Sequence, residues 1–190
     1  MAISKYYSRQ GLWTLFLMCA LPLHIWTFIL AFRDFDWVAA RTNSWDAVGV
    51  IAYGLLFAFI ESAIVFFVVV LLGFFVSNKW GEKRRVGLMS ALIIILSLWS
   101  IFNQYYFLNE LDTPAWLVSL AAATGRPLVT LYALALAASA ISILFPVWFI
   151  LKSDKVLGFV HESIDRLSIL MLLYLFFDAA AIVVVLIRNL

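Results

Sequence analysis

The sequence predicts an all-α, polytopic membrane protein with five transmembrane helices, N-terminus in and C-terminus out. Three observations lead there. First, 66% of the 190 residues are hydrophobic and only 13% are charged, whereas soluble domains run at about 45–50% apolar and about 25% charged. A soluble core of this size cannot bury that excess, so the solvent for it is a bilayer. Second, five stretches reach the roughly 20 apolar residues that cross about 30 Å of hydrocarbon. Third, the alternating pattern of a membrane barrel is missing, and lipid cannot satisfy the backbone of open strands, which leaves helices.

The spans fall at about 11–32, 48–76, 87–108, 127–151 and 167–187, and the whole chain, 1–190, reads as one helical bundle. The first span follows Lys5 and Arg9 as a signal peptide would. Its apolar run continues to Phe32 without a small-residue cleavage site, so a retained helix is expected. The second span is the longest and is expected to tilt or project beyond the lipid. Between the third and fourth spans, Asp112-Thr113-Pro114 reads as a helix start, with Thr113 as N-cap and Pro114 in the first helical position. A short outer interfacial helix is expected over about 114–124, ended by Gly125-Arg126-Pro127. Val156, Phe159, Val160 and Ile164 recur at helical spacing between Lys155, Glu162 and Arg166. That is an amphipathic run lying on the inner surface or leading into the fifth span.

Basic residues set the orientation. Lys5, Arg9, Lys79, Lys83, Arg84, Arg85, Lys152, Lys155 and Arg166 fall on one side, and Arg33, Arg41, Arg126 and Arg188 on the other. The positive-inside rule assigns the richer side to the cytoplasm. Trp37, Trp45 and Trp116 then lie near the outer interface, and Trp13, Trp80 and Trp148 near the inner one, as aromatic belts do. The basic stretch 79–85 is expected to set topology and to touch anionic headgroups. Net charge is only +2, which gives no basic surface for nucleic acid. The single cysteine, Cys19, makes no intrachain disulfide and reports no redox compartment.

Against this background the polar residues inside the spans stand out. His24, Glu61 and Asp178 each fall near the middle of a span. A charge there costs roughly 2.5–3.5 kcal/mol on insertion scales, so such groups turn inward and pair, or stay neutral. Small residues Gly54, Ala58 and Ser62 lie beside Glu61 at a spacing of four, and Ala138 and Ser142 repeat that spacing, which permits close helix packing. Pro22 cannot donate a hydrogen bond and so frees a carbonyl near His24. An intramembrane polar cluster of His24, Glu61, Ser97 and Asp178 is the expected site. Four roles are open to it: holding helices in register, relaying protons or ions, forming a lipid or polyprenyl pocket, or binding a metal. No spacing of histidines supports the last, and no metal or cofactor is expected. His161 reads as a solvated residue of the amphipathic run. Asn103, Gln104, Glu110 and Arg126 are candidates for an outer polar cavity or for ordinary interfacial caps. Soluble catalytic motifs are absent from the sequence, including G-x-S-x-G, the P-loop and the Rossmann glycines.

Several segments carry a family likeness: Leu21-Pro22-Leu23-His24 in the first helix, a long second helix, and Lys83-Arg84-Arg85-Val86-Gly87-Leu88-Met89-Ser90-Ala91-Leu92 leading into the third. The third helix ends in Tyr105-Tyr106-Phe107, and Gly125-Arg126-Pro127-Leu128 opens the fourth. Together these resemble the five-helix N-terminal membrane module of bacterial sulfatase-like membrane enzymes, the phosphoethanolamine and glycerol-phosphate transferase type. In that family the fifth helix delivers the chain to an external catalytic domain. Here the sequence ends at Leu190, so no catalytic residue carries over. The resemblance implies a membrane module without its enzyme, in the bacterial cytoplasmic (inner) membrane and linked to envelope polysaccharide or lipid assembly.

Three functional readings follow. The leading one is a non-catalytic integral membrane subunit or anchor working with a partner. The second is a small proton-coupled transporter using Glu61, Asp178 and His24. The third is a membrane-embedded lipid-modifying enzyme. The expected partners are the lipid bilayer, a membrane protein or a second copy of the chain, and a lipid as candidate ligand, with no nucleic acid.

Overall fold

The computed structural model describes residues 6–190, so Lys5 of the topology argument lies outside the described residues. Six α-helices make up the described fold: α1 (Arg9–Arg41), α2 (Ser44–Gly73), α3 (Gly81–Leu108), α4 (Ala115–Ala122), α5 (Pro127–Lys152) and α6 (Asp154–Asn189). All but α4 are long and apolar enough to cross a membrane. The chain is therefore an all-α, multi-pass, five-span membrane protein.

Local chemistry places the helix starts. The Ser8 hydroxyl caps α1 by accepting from the Gly11 N–H at 3.0 Å. Asn43 caps α2: its Oδ1 accepts from the Asp46 N–H at 2.9 Å, and its Nδ2 donates to the Asp46 carboxylate at 2.8 Å. Ser153 caps α6 through the Val156 N–H. Pro127 opens α5 from the first helical position, where its missing N–H costs nothing. Gly81 begins α3 with φ of +68°, a conformation that glycine adopts without strain.

Several boundaries differ from the sequence reading. α1 runs on to Arg41, nine residues past the predicted end, because nothing between Arg33 and Arg41 breaks a helix even though the chain there is polar. α3 begins at Gly81, a turn and a half before the predicted 87. The amphipathic run is the first third of α6 and leads directly into the fifth span. α4 begins at Ala115 with Pro114 as its N-cap in an extended conformation. Thr113 caps nothing there; its hydroxyl is 2.9 Å from that of Tyr106.

α1 is the hub of the bundle and packs against α2, α3 and α6. In its most apolar window 44% of residues are buried, against 6% for α5. One core cluster joins Leu15 and Cys19 of α1 to Val69 and Val70 of α2, Val86, Met89 and Ile93 of α3, and Ile150 of α5. A second joins Leu17, Met18 and Leu21 of α1 to Ile164 and Met171 of α6. A third joins Ala52 and Leu55 of α2 to Ala181 of α6.

Both ends of the bundle are clasped by arginines. At one end the Arg188 guanidinium donates to the Trp45 carbonyl at 2.8 Å and to the Asp46 carboxylate at 2.8 Å, tying the end of α6 to the start of α2. At the other, Arg84 pairs with Asp154, and Arg85 donates to the Tyr6 carbonyl at 2.7 Å. The Ser8 N–H donates there to Glu82 at 2.6 Å. Tyr6 and Arg188 therefore sit at opposite ends of the bundle. Arg85 departs from the expected headgroup contact: it is 2% exposed, because α3 starts early enough to carry it into the interior.

Candidate functional site

Of the four residues expected to meet in the membrane, the structure brings two together. His24 of α1 and Asp178 of α6 are 0% and 4% exposed. The His24 Nε2 lies 3.0 Å from Oδ1 and 2.9 Å from Oδ2 of Asp178. Its Nδ1 lies 2.8 Å from the Ala20 carbonyl one turn back along α1. This is not the carbonyl freed by Pro22, which is that of Met18 four residues before the proline. The Tyr174 ring, one turn before Asp178, stacks on the imidazole at 6.3 Å and an interplanar angle of 8°. Phe28 of α1 packs against Tyr174 at 5.3 Å and Phe177 at 5.4 Å, a second set of contacts between α1 and α6 one turn along from His24.

These contacts constrain the protons. A carbonyl only accepts, so Nδ1 carries a hydrogen. The contact between Nε2 and the carboxyl group then requires one further proton, held by nitrogen or by oxygen. In both arrangements, imidazolium with carboxylate or imidazole with carboxylic acid, the pair is neutral as a unit. That neutrality lets two ionisable side chains sit in the interior of an apolar bundle, where a lone charge would cost roughly 2.5–3.5 kcal/mol or more. The single proton between them is also the element from which a relay would be built.

Ser97 is half-buried on α3 and makes no hydrogen bond among the described residues. Glu61 is exposed and makes no hydrogen bond or ion pair among the described residues. It closes one end of a groove between α1 and α2, of about 300 Å³, whose walls include Trp26, Phe35, Val50 and Phe57. Asp34, also on the groove, is held by Arg33 at 2.7 Å. Ala58 and Ser62, the small residues beside Glu61, are buried as close-packing positions should be. Gly54 also lines the groove, and a Cβ there would meet the Thr27 methyl of α1 at 3.5 Å.

Asn103, Gln104, Glu110 and Arg126 are all exposed, at the ends of α3 and α5 and in the segment between them. His161 is half-buried, and its Nε2–H donates to the Lys83 carbonyl at 2.9 Å, which tethers α6 to the first turn of α3. It borders a polar cavity of about 580 Å³ at the basic end, with Ser8, Glu82, Lys83 and Asp165. Among the described residues no three His, Cys, Asp or Glu side chains are grouped to hold a metal.

Two features escaped sequence reasoning. The Trp99 indole donates to the Ser142 hydroxyl at 2.8 Å, joining α3 to α5; Ser142 was legible as a packing position, but its aromatic partner was not. α5 is otherwise barely covered: Ile150 is its one buried residue. Beside the indole, Ile95, Leu98 and Phe102 of α3 line an apolar groove of about 370 Å³. No protein family, curated protein or solved structure matches this chain.

Proposed function

We propose that this chain is a non-catalytic membrane subunit or anchor that presents α5 to a partner helix. The observation that supports the reading is α5 itself. It is a 26-residue span with one buried residue, and its exposed positions include Ala133, Ala135, Ala137, Ala138 and Ala140. Small residues let helix backbones approach closely in lipid, where packing rather than hydrophobicity drives association. A helix kept only for contact with acyl chains gains nothing from alanine over leucine. The adjoining α3 groove offers a slot for the partner's larger side chains.

The resemblance to the membrane module of sulfatase-like transferases supports a partner in envelope polysaccharide or lipid assembly. It also supports placement in a bacterial inner membrane, with the basic end in the cytoplasm. The test is purification in mild detergent followed by mass spectrometry of bound proteins. A stoichiometric partner, lost in Ala137→Trp while α1–α3 and α6 stay folded, supports the reading. A monodisperse monomer indifferent to that substitution overturns it.

A proton-coupled carrier is the second reading, supported by the proton shared between His24 and Asp178. Asp178→Asn discriminates. The amide still donates to Nε2 of the neutral imidazole, so a pair that only positions helices tolerates it. A relay loses proton-coupled flux at undiminished expression. The lipid-modifying enzyme would need a route from lipid to these two groups, which are 0% and 4% exposed.

A further inference from the structure

We infer that the groove between α1 and α2 is a binding site for a lipophilic monocation, with Glu61 as its counter-ion. The inference is independent of the α5 proposal and goes beyond it.

Glu61 lies 17 residues from the start of α2 and 12 from its end, or about 25 Å and about 18 Å at 1.5 Å per residue. That places it within a few ångströms of the middle of a helix that overreaches a roughly 30 Å hydrocarbon slab at both ends. Side chains tilt toward the N-terminus of their helix, so the carboxylate reaches along the groove, where it forms part of the lining. Among the described residues it has no ion-pair or hydrogen-bond partner, unlike Asp178, which has His24, or Asp34, which has Arg33.

The groove supplies what a lipophilic cation requires. Its volume of about 300 Å³ is at the lower end of the range that holds drug-sized molecules. Trp26, Phe35 and Phe57 contribute aromatic rings to the lining, and aromatic rings attract cations over their faces, most strongly where water is excluded. Among the described residues no Lys, Arg or His lines it, and with Asp34 held by Arg33, Glu61 is the lining acid left without a partner. The groove runs from Asp34, Phe35 and Val38, beyond the predicted end of the first span, inward to Glu61 among apolar lining residues, a depth that a small hydrated cation reaches only by shedding its water and a lipophilic one reaches without that cost. An acyl chain would fill the volume but give the Glu61 carboxyl no partner, whereas a lipophilic cation supplies the opposite charge that lets it ionise at that depth. A zwitterionic headgroup would have to be dragged to the midplane.

Tetraphenylphosphonium is the probe, with tetraphenylborate as an anion of the same shape. Binding is measured by equilibrium dialysis on the full chain in phosphatidylcholine nanodiscs, after subtraction of protein-free discs. The expected result is one saturable phosphonium site per chain and no saturable borate binding. Glu61→Gln weakens the phosphonium at least tenfold. Val50→Trp, which fills the groove at an exposed position and leaves Glu61 intact, does the same. Glu110→Gln, an exposed acid elsewhere, changes nothing. Size-exclusion and melting profiles identical to the parent confirm that the variants fold. Saturable borate binding of equal affinity would reduce the site to an apolar groove and overturn the inference. Phosphonium binding unchanged in Glu61→Gln, or no saturable site at all, would do so equally.

Discussion

Replacing His24 and Asp178 by leucine, singly and together, tests the most consequential contact in the bundle. Leucine is close in size to both side chains and is apolar. His24→Leu leaves the Asp178 carboxyl facing hydrocarbon, and Asp178→Leu leaves the His24 Nε2 in the same position. At 0% and 4% exposure neither orphan recovers its hydrogen bond from water. An unsatisfied buried neutral group costs about 1–3 kcal/mol, and a stranded buried charge about 3–5 kcal/mol. The double replacement removes both groups and should be nearly neutral, as apolar substitutes for buried ion pairs often are. An opposing effect lowers the estimate. Polar side chains unfolded within the membrane also find partners, which holds measured interhelical hydrogen bonds to about 0.6 kcal/mol on average and about 1.7 kcal/mol at most. The bidentate contact of 3.0 Å and 2.9 Å, with a second bond locking the ring, places this pair at the upper end. We expect a coupling energy of about 1.5 kcal/mol, with the double variant more stable than either single one. The assay is equilibrium unfolding in mixed micelles titrated with sodium dodecyl sulfate, compared across the four proteins. Additivity within about 0.5 kcal/mol, the behaviour of sites that do not touch, would show that the two side chains are not paired.

The remaining predictions concern the two ends and α5. Arg188→Ala should cost about 0.5–1 kcal/mol, discounted because the ion pair is partly exposed, and the loss should shrink at high salt when followed by the same unfolding assay. Gly49→Ala should act in the same direction, since a Cβ there would come within 2.5 Å of the Arg188 Cζ. Trp99→Phe should cost about 0.6 kcal/mol and speed proteolysis between α3 and α5, detected by limited digestion. Tyr7 lies before α1 with its hydroxyl buried, unpartnered among the described residues and close against Gly73. Burial pushes its pKa above the usual 10.0, partly offset by Arg85 and reinforced by Glu82. The folded chain therefore holds this proton more tightly than the unfolded one. Its contribution to stability is whole below pH 10 and falls as pH rises through the folded-state value. Tyr7→Phe should be neutral or stabilising by up to about 1 kcal/mol at pH 7, and should lessen the alkaline loss of stability in thermal melts taken from pH 8 to 11.

Composition and hydropathy by themselves determined that the chain crosses a membrane five times as helices, because a 30 Å apolar slab leaves a backbone no other means of satisfying its hydrogen bonds. They also located His24 and Asp178 as residues that must be paired or neutralised, since the cost of an isolated midplane charge does not depend on the fold. Which helices meet was decided only in three dimensions. A midplane residue can face a neighbour or the lipid, and sequence depth is the same for both: Asp178 turns toward α1, while Glu61, at a similar depth, lies open on the α1–α2 groove. The small residues beside Glu61 marked close packing: Ala58 and Ser62 are buried, and a Cβ at Gly54 would already touch Thr27 of α1, yet the same stripe also borders the groove on which Glu61 lies. Arg85 shows the converse. Its sequence neighbours are surface cations, but the early start of α3 carries it inside to the Tyr6 carbonyl. Hydropathy is a one-dimensional quantity that fixes depth along the membrane normal; the direction in which each side chain points around its helix depends on which other helices pack there, and that is a property of the whole bundle.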